Sequence, residues 1–249
     1  MPLQRRTLLA AGGAALSGCS LLRQPTPIPM ELLADDRACS TQASVLLVML
    51  PGAHMTPAEM QAEGLLDAVR QRHLAVDVLV AGAALDYVYD GSLLRRLHED
   101  VIAPYRARGY QRIWLAGISL GGFAAMGYAL NHPGTVEGII ALAPYLGRRQ
   151  LVQEIADAGG ASRWNSSQVP RPDDLDQQLW RWLARLPADA PALYLGFGRE
   201  DRFAQGHQLL AQLLPATNVR SAPGGHDWAP WRQLWAEWLD AGLLPTACP

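Results

Sequence analysis

Short runs in which nearly every position is apolar alternate along this chain with longer stretches whose apolar residues recur every three or four positions. Val45–Leu50 reads Val-Leu-Leu-Val-Met-Leu and ends at Pro51-Gly52. Six apolar residues with no polar side suit a strand buried on both faces of a parallel sheet. Similar runs predict strands at Ala75–Val80, Arg112–Ala116, Val136–Leu142, Ala192–Phe197 and Asn218–Ala222. A helix is predicted over about Pro57–Arg72, capped by Thr56, with Pro57 in its first turn and Glu59 placed to complete a capping box. Ser92–Arg108 carries Leu93, Leu94, Leu97, Val101 and Tyr105 on one stripe; Gly109 can end this helix, and Pro104 should kink or shorten it. Helices also follow at Leu120–Asn131, Ala204–Leu214 and Trp228–Asp240, the last placing Trp228, Trp231, Leu234, Trp235, Trp238 and Leu239 on one face that reads as core. Strands separated by helices predict an α/β fold with a doubly wound, mostly parallel sheet.

Residues 148–190 break this rhythm. They hold a helical stretch at Arg148–Ala158, a loop containing Gly159, Gly160, Pro170 and Pro172, and a second helical stretch at Leu175–Leu186. An insertion between strands sits over the carboxyl ends of the sheet, where ligands bind in open α/β folds, so a small helical cap is expected. The alternative is an ordinary crossover with a long surface loop.

The first eighteen residues read as a signal peptide: Arg5-Arg6, a short apolar run from Leu8 to Leu16, then small residues before Cys19. The run is too short to span a bilayer. Leu16-Ser17-Gly18-Cys19 resembles a bacterial lipobox, which implies that Cys19 is acylated and anchors the chain in a lipid bilayer. Ser20 after the cysteine implies the outer membrane, with the domain on the periplasmic face. The arginine pair resembles a twin-arginine export signal, and the general secretory route stays open. Residues 19–42 form the lipidated tether and lead-in, with Pro25, Pro27 and Pro29 in its first half, and residues 43–249 the domain. Cys39 and Cys248 then remain at the two edges of the domain, where an exported protein can pair them as a disulfide.

Composition adds exclusions. Of 249 residues 49% are hydrophobic and 18% charged, a globular balance that rules out a disordered chain. The net charge of −2 offers no electrostatic footprint for nucleic acid. All 21 basic residues are arginine, which excludes Schiff-base and P-loop chemistry, both of which need lysine. No cysteine or histidine pair stands at metal-ligand spacing, and no Gly-x-Gly-x-x-Gly follows a strand, so neither metal nor cofactor is expected.

The chemistry lies in three loops, each just beyond a predicted strand. Gly117-Ile118-Ser119-Leu120-Gly121 joins a strand to a helix; a nucleophile on so sharp a turn needs small neighbours two positions away. A serine hydroxyl needs a base, and His226 in Pro223-Gly224-Gly225-His226-Asp227-Trp228 follows the last strand. The base needs an orienting carboxylate, and Asp201, with Glu200 as alternate, follows the strand Ala192–Phe197. In the order Ser, Asp, His, the chain resembles the α/β-hydrolase superfamily over about residues 43–242. The resemblance implies Ser119 as nucleophile, His226 as general base and Asp201 as its orienting acid. It implies an oxyanion hole from the backbone N–H of Leu120 and of Ala53, although Pro51-Gly52 stands where members often carry His-Gly. His54 in that loop is expected to face water. The histidine loop with Trp231 also looks like that of the esterase D branch. The function expected is hydrolysis of a small-molecule carboxylic ester or thioester through an acyl-enzyme, as in a carboxylesterase. Acyl transfer on the same triad, or a non-catalytic envelope lipoprotein with a hydrolase fold, are the alternatives; substrate identity and oligomeric state are not legible.

Overall fold

The computed structural model describes residues 29–35, 38–83, 85–164 and 174–248. The expected signal peptide and the lipidation site Cys19 lie outside the described residues.

Seven strands form one sheet in the order β1-β3-β2-β4-β5-β6-β7: β1 (Leu32–Asp35), β2 (Val45–Leu50), β3 (Val76–Ala81), β4 (Arg112–Ile118), β5 (Gly138–Leu142), β6 (Ala192–Gly198) and β7 (Val219–Ala222). β1 runs antiparallel to β3, and every other pairing is parallel. β2, β3 and β5 are buried at every position, because both faces of the sheet are covered. Each such Val, Leu or Ile contributes roughly 1.5–3 kcal/mol by leaving water. The pleat divides β2 between two cores. Leu46, Val48 and Leu50 face one, while Val45, Leu47 and Met49 face the other.

The second core is filled by α1 (Pro57–Ala62), α2 (Leu65–Gln71) and α10 (Trp228–Leu239). The aromatic stripe of α10 buries Trp231, Trp235 and Trp238, and the Trp235 indole N–H donates to the Leu65 carbonyl at 2.9 Å. Thr56 and Glu59 form the expected capping box. The predicted single helix divides at Gly64, whose φ of 80° is left-handed and costs glycine little.

The first core takes α3 (Leu85–Tyr89), α4 (Leu93–Arg96), a π-helical stretch Leu97–Ile102, α5 (Ala103–Ala107), α6 (Leu120–Asn131) and α9 (Ala204–Ala211). Pro104 neither breaks nor ends its helix. The π-helical turn just before it absorbs the backbone bond that proline cannot donate. Residues 148–190 build α7 (Arg149–Asp157) and α8 (Leu175–Leu183). Their apolar faces, including Leu151, Ile155, Leu179, Trp180 and Leu183, join this same core. The insertion is thus rooted beside α6 and α9. Asp176 of α8 accepts the Arg148 N–H at 3.1 Å, and the Trp180 indole donates to the Leu146 carbonyl at 2.7 Å. Those two bonds tie down the loop after β5.

At the amino end of the sheet, Cys39 and Cys248 are joined by a disulfide with Cα atoms 5.8 Å apart, and the Ala75 N–H donates to the Pro245 carbonyl.

Candidate active site

Ser119 follows β4 and is the residue before α6, with φ 51° and ψ −110°. A non-glycine residue there is strained, and its surroundings must hold it. The Ser119 N–H donates to the Leu142 carbonyl at the end of β5, and its own carbonyl accepts the N–H of Tyr145 at 2.9 Å and of Phe123 at 3.1 Å. Gly117 and Gly121 make the turn sterically possible. A Cβ on Gly117 would collide with the Gly121 backbone, and one on Gly121 with the carbonyl of Leu50.

The β6–α9 loop carries Asp201, 5% exposed. One carboxylate oxygen accepts the Phe203 N–H at 2.8 Å, and the other meets His226 Nδ1 at 2.7 Å. Burial pushes this carboxyl up. The hydrogen bonds from His226 and from the Phe203 N–H outweigh it and hold the pKa below the ordinary aspartate value, so Asp201 is a carboxylate at neutral pH. His226 stands on the β7–α10 loop and turns Nε2 toward Ser119 Oγ at 3.0 Å. Its ring is held edge-on between Phe203, 5.1 Å away, and Trp231, 5.0 Å away. Loops beyond β4, β6 and β7 therefore bring the three residues singled out in the sequence into one hydrogen-bonded line. Glu200 lies outside that line. Its carboxylate accepts the Gly224 N–H and braces the histidine loop.

Leu120 opens α6, and first-turn amides have no carbonyl within their own helix, so its N–H is available beside Ser119. Ala53 lies half-buried in the loop after β2, where the Met55 N–H closes a turn onto the Gly52 carbonyl. His54, φ 63°, is exposed.

Three neighbours escaped the sequence reading. Tyr145 sits three residues beyond β5, with its ring edge-on to Phe123 and to Phe203. Burial pushes its hydroxyl up to about 12, with Asp176 nearby adding to the rise. Phe203 walls the imidazole. His207, on α9, is fully buried and bonds through Nε2 to the Pro144 carbonyl at 2.9 Å, steadying the segment whose next N–H holds Ser119. Burial lowers its pKa to about 4. The position just past a strand end was a signal for Tyr145; nothing in the sequence marked Phe203 or His207.

The family model described as "Putative esterase" matches residues 77–240. Among solved structures, fluorophosphonate-binding serine hydrolase F of Staphylococcus aureus is 16% identical, with a TM-score of 0.60 over 85% of this chain and 98% of that one. S-formylglutathione hydrolase from the same organism is 17% identical, with a TM-score of 0.59 over 85% of this chain and 89% of that one. The monoacylglycerol lipase of Paleococcus ferrophilus is 14% identical, with a TM-score of 0.55 over 84% and 98% respectively. These likenesses establish an α/β-hydrolase fold. No curated protein matches the chain in sequence.

Proposed function

The chain belongs to this esterase family, and from that premise we propose that it cleaves a carboxylic ester or thioester through an acyl-enzyme on Ser119. The observation that carries the reading is the unbroken line Ser119 Oγ–His226 Nε2, His226 Nδ1–Asp201, at 3.0 and 2.7 Å, on a strained turn that opens a helix. In the reaction, Ser119 Oγ attacks the carbonyl carbon as its proton passes to His226 Nε2. Asp201, ionised and hydrogen-bonded to Nδ1, fixes the tautomer and stabilises the imidazolium. The oxyanion of the tetrahedral adduct faces the N–H groups of Leu120 and Ala53 and the positive end of α6. The adduct collapses, the alcohol or thiol leaves with the proton from Nε2, and the acyl group stays on Oγ. Water, deprotonated by His226, then releases the carboxylic acid and restores the serine. Mixing enzyme with p-nitrophenyl acyl esters tests this: a nitrophenolate burst approaching one per enzyme is expected where deacylation is slow. Absence of both burst and turnover across short and long acyl chains would refute it.

We extend the proposal to location: an exported protein, lipid-anchored through Cys19 in the bacterial envelope, on the periplasmic face of the outer membrane. The lipobox-like sequence supports this, and so does the Cys39–Cys248 disulfide, which suits an oxidising compartment. Metabolic labelling with palmitate should mark the wild-type chain and not Cys19→Ala; equal labelling, or none in either, would refute the anchor.

A further inference from the structure

Two clefts flank the candidate site, and they differ in chemistry. One, of about 440 Å³, sets an apolar wall of Tyr87, Leu93, Leu94 and Phe123 against the carboxylates of Asp174 and Asp176. The other, of about 620 Å³, presents Arg148, Arg149 and Arg202 beside Tyr145 and Phe203, and no carboxylate belongs to its lining. Arg148 lines both. The second cleft adjoins the reacting groups through its two aromatic walls. Phe203 packs edge-on to His226 and donates its N–H to Asp201; the Tyr145 N–H holds the Ser119 carbonyl.

The three arginines are not neutralised alike. Arg148 is paired with Asp174 at 3.1 Å and Asp176 at 3.6 Å, both on the side of the first cleft. Arg202 lies over the Phe203 ring, 4.9 Å from its centroid. Among the described residues neither Arg149 nor Arg202 has a carboxylate partner. The start of α7 adds to the imbalance. Arg148 and Arg149 stand at its positive end and the first turn carries no acidic residue; Asp176 of α8 accepts the N–H of the N-cap Arg148, which leaves the N–H of Arg149 and Gln150 without a side-chain cap. Cations at a helix N-terminus are placed against the dipole, whereas an anion there satisfies dipole, free amides and guanidinium groups together.

We propose that this cleft binds an oxyanion, of the carboxylate class, carried by the substrate at a distance from the scissile carbonyl. The inference rests on the ester-hydrolase reading and sharpens it, for the enzyme then selects esters that are negatively charged on one side. The uncharged portion lies in the first cleft, where Asp174 and Asp176 repel an anion, and the anionic portion in the second. Planar guanidinium groups match a carboxylate in two parallel hydrogen bonds, which gives orientation as well as attraction.

The test compares matched esters. p-Nitrophenyl hemiglutarate against p-nitrophenyl pentanoate places the charge on the acyl side; 4-acetoxybenzoate against its methyl ester places it on the leaving group. The quantity read is the ratio of kcat/KM, anionic over neutral, in the wild type and in Arg149→Gln, Arg202→Gln and Arg149→Glu. For one of the two pairs each glutamine variant should lower the ratio about tenfold, mainly through KM, the scale of one charge-assisted contact. Arg149→Glu should lower it further, and added salt should compress the wild-type preference. Ratios that the variants leave unchanged for both pairs would overturn the proposal. If no ester is turned over, the hydrolase reading has failed. The cleft is then judged by calorimetry with glutarate on the wild type and Arg149→Gln, where tenfold weaker binding supports it and equal or absent binding overturns it.

Discussion

The two ends of the sheet are built by different means. At the carboxyl end, the backbone is strained around the reacting groups. Among the described residues, three of the four non-glycine positions with positive φ, namely His54, Ser119 and Ala143, stand just beyond β2, β4 and β5. Asp201 and His207 are buried there too. At the amino end, the chain is laced together. The Arg70 guanidinium binds Asp35 at 2.9 Å and the Val76 carbonyl, Asp77 accepts the Ala43 N–H and the Tyr110 hydroxyl, and the disulfide joins the two edges of the domain. Strain is held where chemistry is proposed, and cross-links lie where none is. Activity and stability should therefore respond to different substitutions.

The largest separation is expected from Ser119→Ala. It should lower kcat by roughly 10⁴–10⁶, the range seen when a triad member is removed, while the melting temperature holds, because alanine keeps a Cβ on the same strained backbone. Near-normal turnover would break the contrast at its centre. Asp201→Asn comes next, at up to ~10⁴ in kcat, because the neutral amide no longer fixes the His226 tautomer. Glu200→Gln, which loosens only the bond to Gly224, should stay within about 100-fold. Steady-state rates on one ester decide the order, and a reversal would make Glu200 the acid.

At the opposite end, Cys39→Ser with Cys248→Ser opens a loop of 209 residues. The chain-entropy model values that closure at roughly 5 kcal/mol, and denaturant titration should show a loss of that order with kcat/KM unchanged. A loss of activity without a loss of stability would contradict the division. The smallest effect is a slope with pH. The His207 pKa is lowered to about 4 in the fold, against about 6.5 when exposed, so between those values the unfolded chain binds the extra proton. Stability should thus fall as pH drops from about 6.5 to 4, by up to about 3 kcal/mol, and His207→Gln should remove that part of the slope. Parallel curves for the two proteins would show that His207 does not titrate in this way.

The same contrast explains what was legible in the sequence. Strands buried on both faces announce themselves as apolar runs, and the observed β2 coincides with the predicted one. Ser119, Asp201 and His226 were findable because each lies just past such a run, and the α/β topology gathers strand ends on one edge. β1 was missed: its four residues form a partly exposed, antiparallel edge strand behind a proline-rich stretch, where no periodicity develops. The split at Gly64 and the π-helical turn before Pro104 were hidden because a hydrophobic stripe reports a face and not local backbone geometry. The clefts were illegible for a different reason. Tyr87, Phe123, Arg149, Asp176 and Arg202 come from separate elements and meet only through packing.

The nucleophilic character of Ser119 is tested most directly by intact-mass spectrometry after exposure to a fluorophosphonate, followed by peptide mapping. The expected result is a single adduct on Ser119, absent in Ser119→Ala and formed far more slowly in Asp201→Asn. No adduct on the folded protein, or an adduct on another residue that persists in Ser119→Ala, would contradict it.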